Sequence, residues 1–271
     1  NNAGSYINDY YDDMAWMTLA CLRAYEATSD PEYKATALLL WEEIKGGWND
    51  DNHDGGIVWK KGEQWRSAKN ACINNPACII AARLYQMFND RDALAWARKL
   101  YAWSKGHVVD AATGKVWDAA DNRDPGWVFT YNQGTWIGAA VEMFRITGEQ
   151  TYLDDAVKTA NWVVGTAYSP GGNLPGGTDT DGGMFAGICV RYMTNLILLP
   201  RLDAGVRQKY VSFLEKNALE LRKNSADFYF CGRWTQSAQP DDIGLSSQLS
   251  GVMLMEMMYR IGQEYPDLLT K

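Results

Sequence analysis

The chain has 271 residues, 46% of them hydrophobic and 22% charged, enough apolar material for one large domain or two small ones. Its formal charge of −7, with the acids dispersed and no basic stripe, argues against nucleic acid as a partner, because phosphate binding needs clustered Lys and Arg. No apolar run reaches the length of a membrane span; residues 188–200, among the longest, are interrupted by Arg191, Thr194 and Asn195.

Residues 11–27 form the first expected helix, apolar nearly all round once past Asp12 and Asp13, which marks a buried helix. Residues 32–44 follow as an amphipathic helix. A connection rich in Gly, Asp and Trp (49–65) leads to 67–74, which fits either a first helical turn or a loop. Asn75-Pro76 then reads as a cap with proline at the first helical position, opening a second buried helix over 76–88.

The alternation continues with an amphipathic helix at 92–103, a buried one at 131–146, an amphipathic one at 152–164, a buried one at 184–199, an amphipathic one at 205–221 and a buried one at 243–261. In 152–164, Tyr152, Ala156, Ala160 and Val163 make one stripe, with Asp154, Asp155 and Lys158 facing away. Val206, Tyr210, Phe213, Leu214 and Leu221 repeat that pattern in 205–221. Gly148, Gly205 and Gly262 punctuate helix ends. Long loops at 113–127, 169–183 and 232–242 precede the buried helices, and GGIVW (55–59) and GKVWD (114–118) are candidate short strands.

Five buried helices with four outer ones between them imply an all-α fold, an inner ring inside an outer ring. The buried helices start roughly 50 to 65 residues apart, a period suited to helical pairs. An (α/α)6 barrel needs six of each kind, so one buried and two amphipathic helices are missing; an irregular nine-helix domain is the alternative. The chain lacks a signal peptide and does not begin with Met, so residues 1–271 read as a single, N-terminally truncated catalytic domain.

In a double ring the buried helices present their N-termini at one mouth. That groups Asp9, Asp12 and Asp13 with Lys69 and Asn70, Tyr131, Asn132 and Gln133, Asp181, and Asp241 and Asp242. Trp59, Trp117, Trp127 and Trp234 lie on the bordering loops. The chain holds 12 Trp and 15 Tyr against 7 Phe, and flat indoles stack on the apolar faces of sugar rings. The plainer role of such residues is packing and capping.

Asp12 and Asp13 stand apart from the other paired acids. Neighbours on a helix point about 100° apart, so the two could flank one glycosidic bond, and carboxyls roughly 5 Å apart suit the retaining mechanism. Mutual repulsion would hold one proton more tightly and so separate an acid from a nucleophile. A helix-start role in the dipole is the simpler reading of any such pair. It fits Asp154-Asp155 on an outward face, Asp50-Asp51 in a turn and Asp241-Asp242 as a cap. Asp12-Asp13 instead opens an apolar helix, where acids are costly without a task. The five cysteines (Cys21, Cys72, Cys78, Cys189, Cys231) have no zinc-ligand spacing and most suit buried thiols, while His53 and His107 are too few for a His-rich metal site. No metal or cofactor is expected.

NDYYDDMAWMTLACLRAYEAT (8–28) resembles the signature of glycoside hydrolase family 76, the endo-α-1,6-mannanase family. The resemblance continues through GGIVW (55–59), KNACINNPACIIAARLY (69–85), FTYNQGTWIGAAVEMFRITG (129–148) and GGMFAGICVRYM (182–193), in order over most of the chain. It implies an (α/α)6 barrel whose Asp-Asp helix follows about three others, in line with the three missing from the count. It further implies Asp12 as nucleophile and Asp13 as general acid/base of a retaining α-1,6-mannanase. Trp59, Asn70, Trp127, Tyr131, Asn132, Gln133, Asp181 and Trp234 would contact an α-mannan or manno-oligosaccharide substrate. The location implied is extracytoplasmic. Where relatives often carry Lys within 184–187, this chain has Ala186. A mannan transglycosylase using the same acids, and a non-catalytic glycan-binding protein of the same fold, are the competing readings; the sequence does not speak to oligomeric state.

Overall fold

In the computed structural model, which describes residues 5–165, 172–177, 180–227, 229–239 and 243–270, the described residues form nine α-helices. In chain order they are α1 (Tyr11–Thr28), α2 (Pro31–Lys45), α3 (Ala71–Phe88), α4 (Arg91–His107), α5 (Thr130–Thr147), α6 (Gln150–Gly165), α7 (Phe185–Ile197), α8 (Ala204–Asn224) and α9 (Leu245–Glu264). They make two compact units. The first comprises Asn1–Ala112, Val116–Val128 and Glu142–Glu149; the second comprises Thr113–Lys115, Phe129–Val141 and Gln150–Lys271, so α5 divides between them.

Three expectations need correction. The second apolar helix starts at Ala71, five residues before Pro76, and Asn75 and Pro76 are buried inside it rather than capping it. Proline is tolerated near a helix start because the first turn's N–H groups lack intrahelical partners; here it sits just beyond that turn. GGIVW and GKVWD form single bridges, not strands. Finally, α1 and α9 each bury only one side: Met17 on α1 and Leu245, Leu249 and Tyr259 on α9 are exposed, whereas α3 and α7 are buried almost throughout.

Helix starts differ by layer. The amphipathic helices α2, α4 and α8 open with an Asp cap: Asp30 accepts from the Glu32 N–H at 2.9 Å, Asp90 from Ala93 at 3.1 Å and Asp203 from Val206 at 2.9 Å. The apolar helices α1, α3, α7 and α9 have no side-chain cap. In the first unit loop carbonyls take that place: the Tyr11 N–H donates to the Trp59 carbonyl at 3.0 Å, and the Ala71 N–H to the Asp118 carbonyl at 2.8 Å.

These two contacts belong to a repeat with a strict register. Trp48 bridges Ile57 and Val109 bridges Val116; three residues on, Tyr10 bridges Lys60 and Asn70 bridges Ala119. The Val58 N–H donates to the Gly47 carbonyl as Trp117 does to Val108, and Lys61 to Asp9 as Ala120 to Lys69. Each helical hairpin thus returns a short extended segment to the start of an apolar helix. In this register Trp59 corresponds to Asp118, and Trp117 corresponds to Val58.

The second unit relies on close helix contacts. A Cβ on Gly134 would lie 2.6 Å from the Cys189 Cα, and one on Gly138 would meet the Tyr192 ring, so the first part of α5 packs tightly on α7. The Gly187 N–H donates to Ser250 Oγ at 2.6 Å, joining α7 to α9. The glycine of the TYNQG stretch is therefore a packing residue.

Candidate active site

Asp12 and Asp13 sit in the first turn of α1, Asp12 largely buried and Asp13 exposed. The Asp12 carboxyl has its pKa raised from 3.8 to about 6, first by burial and then by the like charge of Asp13. Hydrogen bonds from the Trp59 side chain, its own backbone N–H and the Cys72 side chain act the other way, favouring the ionised form. Oδ1 of Asp12 is buried and takes no close hydrogen bond from any described residue. A buried acceptor without a donor costs about 1–3 kcal/mol, which the fold would shed if the oxygen had no use.

Trp59 is held from several sides. Its carbonyl accepts from Tyr11, its N–H donates to Ala68 at 2.7 Å, and its ring meets Tyr10 at 5.1 Å and Trp65 at 5.2 Å, both edge-on. The sequence suggested a sugar platform; Trp59 is also a hydrogen-bond donor to Asp12, a role periodicity cannot reveal.

The loop carrying Trp59 is fastened from α3. Asn74, fully buried, donates to the Ile57 carbonyl at 2.9 Å and accepts from the Ile57 N–H at 2.8 Å, closing a two-bond clamp on the backbone of one residue. Lys69 was expected at the mouth but is fully buried. Its Nζ donates to the carbonyls of Asn49, Asn52 and Gly55 at 2.8, 2.7 and 2.6 Å, and burial lowers its pKa. Those three carbonyls hold a loop in which His53 and Asp54 both adopt positive φ near 51°. Lys69 is a loop clamp, not a substrate ligand.

The remaining candidates divide by unit. In the first, Asn70 is the N-cap residue of α3 and donates to Asp118 Oδ2 at 3.2 Å. Trp117 is half-buried under the Arg123 guanidinium, and Trp127, in a 3-10 turn at Pro125–Trp127, is 52% exposed. In the second, Tyr131 is 9% exposed and stacked on Phe185 at 4.1 Å, while Asn132 and Gln133 are fully buried in the first turn of α5 and Gln133 donates to the Phe129 carbonyl at 3.2 Å. Asp181 is exposed and opens a short 3-10 turn. Ala186 is buried in α7.

Trp234 is a correction: at 2% exposure it offers no face to a sugar. Asp241 and Asp242 lie outside the described residues. Cys72 and Asn74 were missed as site-forming residues, and Lys69 was expected in another role; only their place in KNACINN, at the start of an apolar helix, could have flagged Cys72 and Asn74. All five cysteines are buried, where the sequence led us to expect most of them to be.

A family model described as Glycosyl hydrolase family 76 matches residues 1–265. The chain is 44% identical to the α-1,6-mannanase of Salegentibacter sp. HEL1_6, with a TM-score of 0.90 over 96% of this chain and 78% of that one. A variant of that enzyme with two consecutive aspartates changed to asparagine is described as inactive and was solved with α-1,6-mannotriose. The Lin0763 protein from Listeria innocua is 35% identical, with a TM-score of 0.88 over 97% of this chain and 76% of that one. Mannan endo-1,6-α-mannosidase DCW1 of Saccharomyces cerevisiae is 24% identical over 90% of this chain, which spans 59% of that relative's length. The fold class is the all-α, (α/α)-barrel class of these enzymes, and the chain belongs to glycosyl hydrolase family 76.

Proposed function

We propose that the chain hydrolyses α-1,6-mannosidic linkages of mannan with retention of configuration, with Asp12 as nucleophile and Asp13 as general acid/base. The observation that carries this is the Asp12 carboxyl itself: largely buried at a helix start, held by donors, and keeping Oδ1 without a close partner among the described residues. Oδ1 would attack the anomeric carbon while Asp13 gives its proton to the departing glycosidic oxygen, leaving a glycosyl ester on Asp12. Water then attacks that carbon and cedes its proton to Asp13, releasing the sugar.

Burial and the like charge of Asp13 favour a proton on Asp12, whereas its hydrogen bonds favour the ionised form a nucleophile needs; the division of roles rests on the family resemblance. The donors from Trp59 and Cys72 stabilise the same ionised state. The reverse assignment, with Asp12 as proton donor, draws on the same raised pKa, but it leaves those donors facing the group that should hold a proton.

α-Mannan as substrate is supported by the α-1,6-mannanases and mannan endo-1,6-α-mannosidases among the relatives, and an extracytoplasmic setting rests on the family resemblance. Trp59 and Trp127 offer indole surface in the first unit. The assignment of Tyr131, Asn132 and Gln133 to substrate rests on the family resemblance, and that of Asn70 and Asp181 on their places at helix starts. No helix among the described residues is long and apolar enough to cross a membrane. The test is incubation with α-1,6-mannan and, in parallel, an α-1,2-linked mannan, with products separated by size. A ladder of oligosaccharides from the first alone is expected; an intact α-1,6-mannan would overturn the reading.

A further inference from the structure

The bridges Tyr10–Lys60 and Asn70–Ala119 occupy matching places in the two repeats of the first unit, as do the bonds Lys61 to Asp9 and Ala120 to Lys69. Counted from them, Cys72 in α3 is the counterpart of Asp12 in α1, each the second residue of its helix. The two side chains meet: the Cys72 thiol, on a residue only 4% exposed, donates to the Asp12 carboxyl.

The turn that carries this thiol is fixed on both sides. The Ala71 N–H donates to the Asp118 carbonyl at 2.8 Å, and Asn74 grips the backbone of Ile57, two residues before Trp59. Thus α3 reaches Asp12 directly through Cys72 and indirectly through the loop that presents the Trp59 donor. Other thiols serve the backbone: Cys78 donates to the Ala97 carbonyl and Cys231 to that of Arg233, both at 3.4 Å. Cys72 instead meets an ionisable side chain. Oδ1 of that carboxyl takes no close hydrogen bond from any described residue, which leaves Oδ2 to receive the side-chain donors.

We infer that Cys72 is a positioning residue: its thiol, with the Trp59 side chain, anchors one oxygen of Asp12 so that Oδ1 is presented to the anomeric carbon. This rests on the reading of Asp12 as nucleophile above. A thiol suits the task because it is a weak donor, holding the oxygen without withdrawing the electron density that attack requires. A hydroxyl would hold it harder, and a methyl group not at all.

The test is kcat and KM on α-1,6-mannan across pH for wild type, Cys72→Ala and Cys72→Ser, with folding checked by circular dichroism. Asp13, the one charged group acting on Asp12 among the described residues, is the same in all three. Cys72→Ala should lower kcat about fivefold with KM nearly unchanged, the loss of one hydrogen bond that matters at the reacting group. Its acid limb should move upward, because a lost donor favours the protonated carboxyl. Cys72→Ser keeps a donor and should retain most of the activity, with its acid limb at or below that of wild type. A folded Cys72→Ala with the kcat and acid limb of wild type, or a folded Cys72→Ser as impaired as Cys72→Ala, would overturn the inference alone. The wild type decides the matter even if a variant misfolds. Of its five free thiols, one should shift its S–H infrared band downward as Asp12 ionises near pH 6; bands that all stay fixed through that range would also overturn it. A wild type that leaves α-1,6-mannan intact would sink the mannan reading and this inference with it.

Discussion

Trp59 meets Asp12 twice over: its side chain hydrogen-bonds to the Asp12 carboxyl, and its carbonyl accepts the first N–H of the helix that carries Asp12, at 3.0 Å from Tyr11. One loop residue therefore sets both the helix start and the orientation of the acid on it.

Replacing Trp59 with Phe keeps the ring and removes the N–H. A donor to the carboxylate favours its ionised form, so its loss should push the Asp12 pKa further above about 6. The acid limb of the kcat/KM profile should move upward, with activity falling about tenfold near pH 6 and much less near pH 8. A uniform loss at every pH would mean that Trp59 acts only as a stacking surface.

Asp12 also sets a pH dependence of stability. Its folded pKa of about 6 exceeds the ordinary 3.8, so the folded state holds the proton more tightly than the unfolded chain does. Stability is therefore lost as pH rises from about 4 to about 6, and above that range ionised Asp12 costs up to about 3 kcal/mol. Asp12→Asn should resist urea better than wild type near pH 8 and gain nothing near pH 4. A variant less stable than wild type near pH 8 would contradict the burial argument.

The Asn74 clamp should be worth more than its exposure suggests. Asn74→Ala leaves the buried N–H and carbonyl of Ile57 without their side-chain partner, at a cost of about 2–4 kcal/mol for the two groups. Hydrogen exchange should quicken in residues 55–59. Lys69→Met should loosen 49–55 in the same way, because three carbonyls lose one shared donor. Unchanged exchange in both variants would show that backbone bonds alone hold the loop.

The two tryptophans separate binding from packing. Trp127→Ala removes an exposed ring and should weaken mannan binding by about 1 kcal/mol with little change in melting temperature. Trp234→Ala empties a buried site and should cost about 3–5 kcal/mol of stability. The reverse pattern would exchange their roles.

The order and kind of the helices were legible in the sequence because an apolar surface and a charged stripe leave different periodicities. The acid pair was legible because Asp12 and Asp13 open an otherwise apolar helix. Lys69 and Asn74 were not, since their partners are backbone carbonyls and peptide groups of a distant loop, which carry no residue signature. Pro76 misled because proline usually marks a helix's first turn, and here it follows that turn. Trp117 and Trp59 look alike in GKVWD and GGIVW, yet the bridges put them one position out of register. Trp234 illustrates the limit of composition: a Trp in a polar loop can still be the loop's own core.

The acids themselves give the most direct test. Hydrolysis of α-1,6-mannan should be measured for wild type and Asp12→Asn, with folding checked by circular dichroism, since an amide cannot form the glycosyl ester. The account predicts a folded variant with no detectable turnover. Cleavage at the wild-type rate by folded Asp12→Asn would contradict it and return the Asp12–Asp13 pair to the role of helix-start charges.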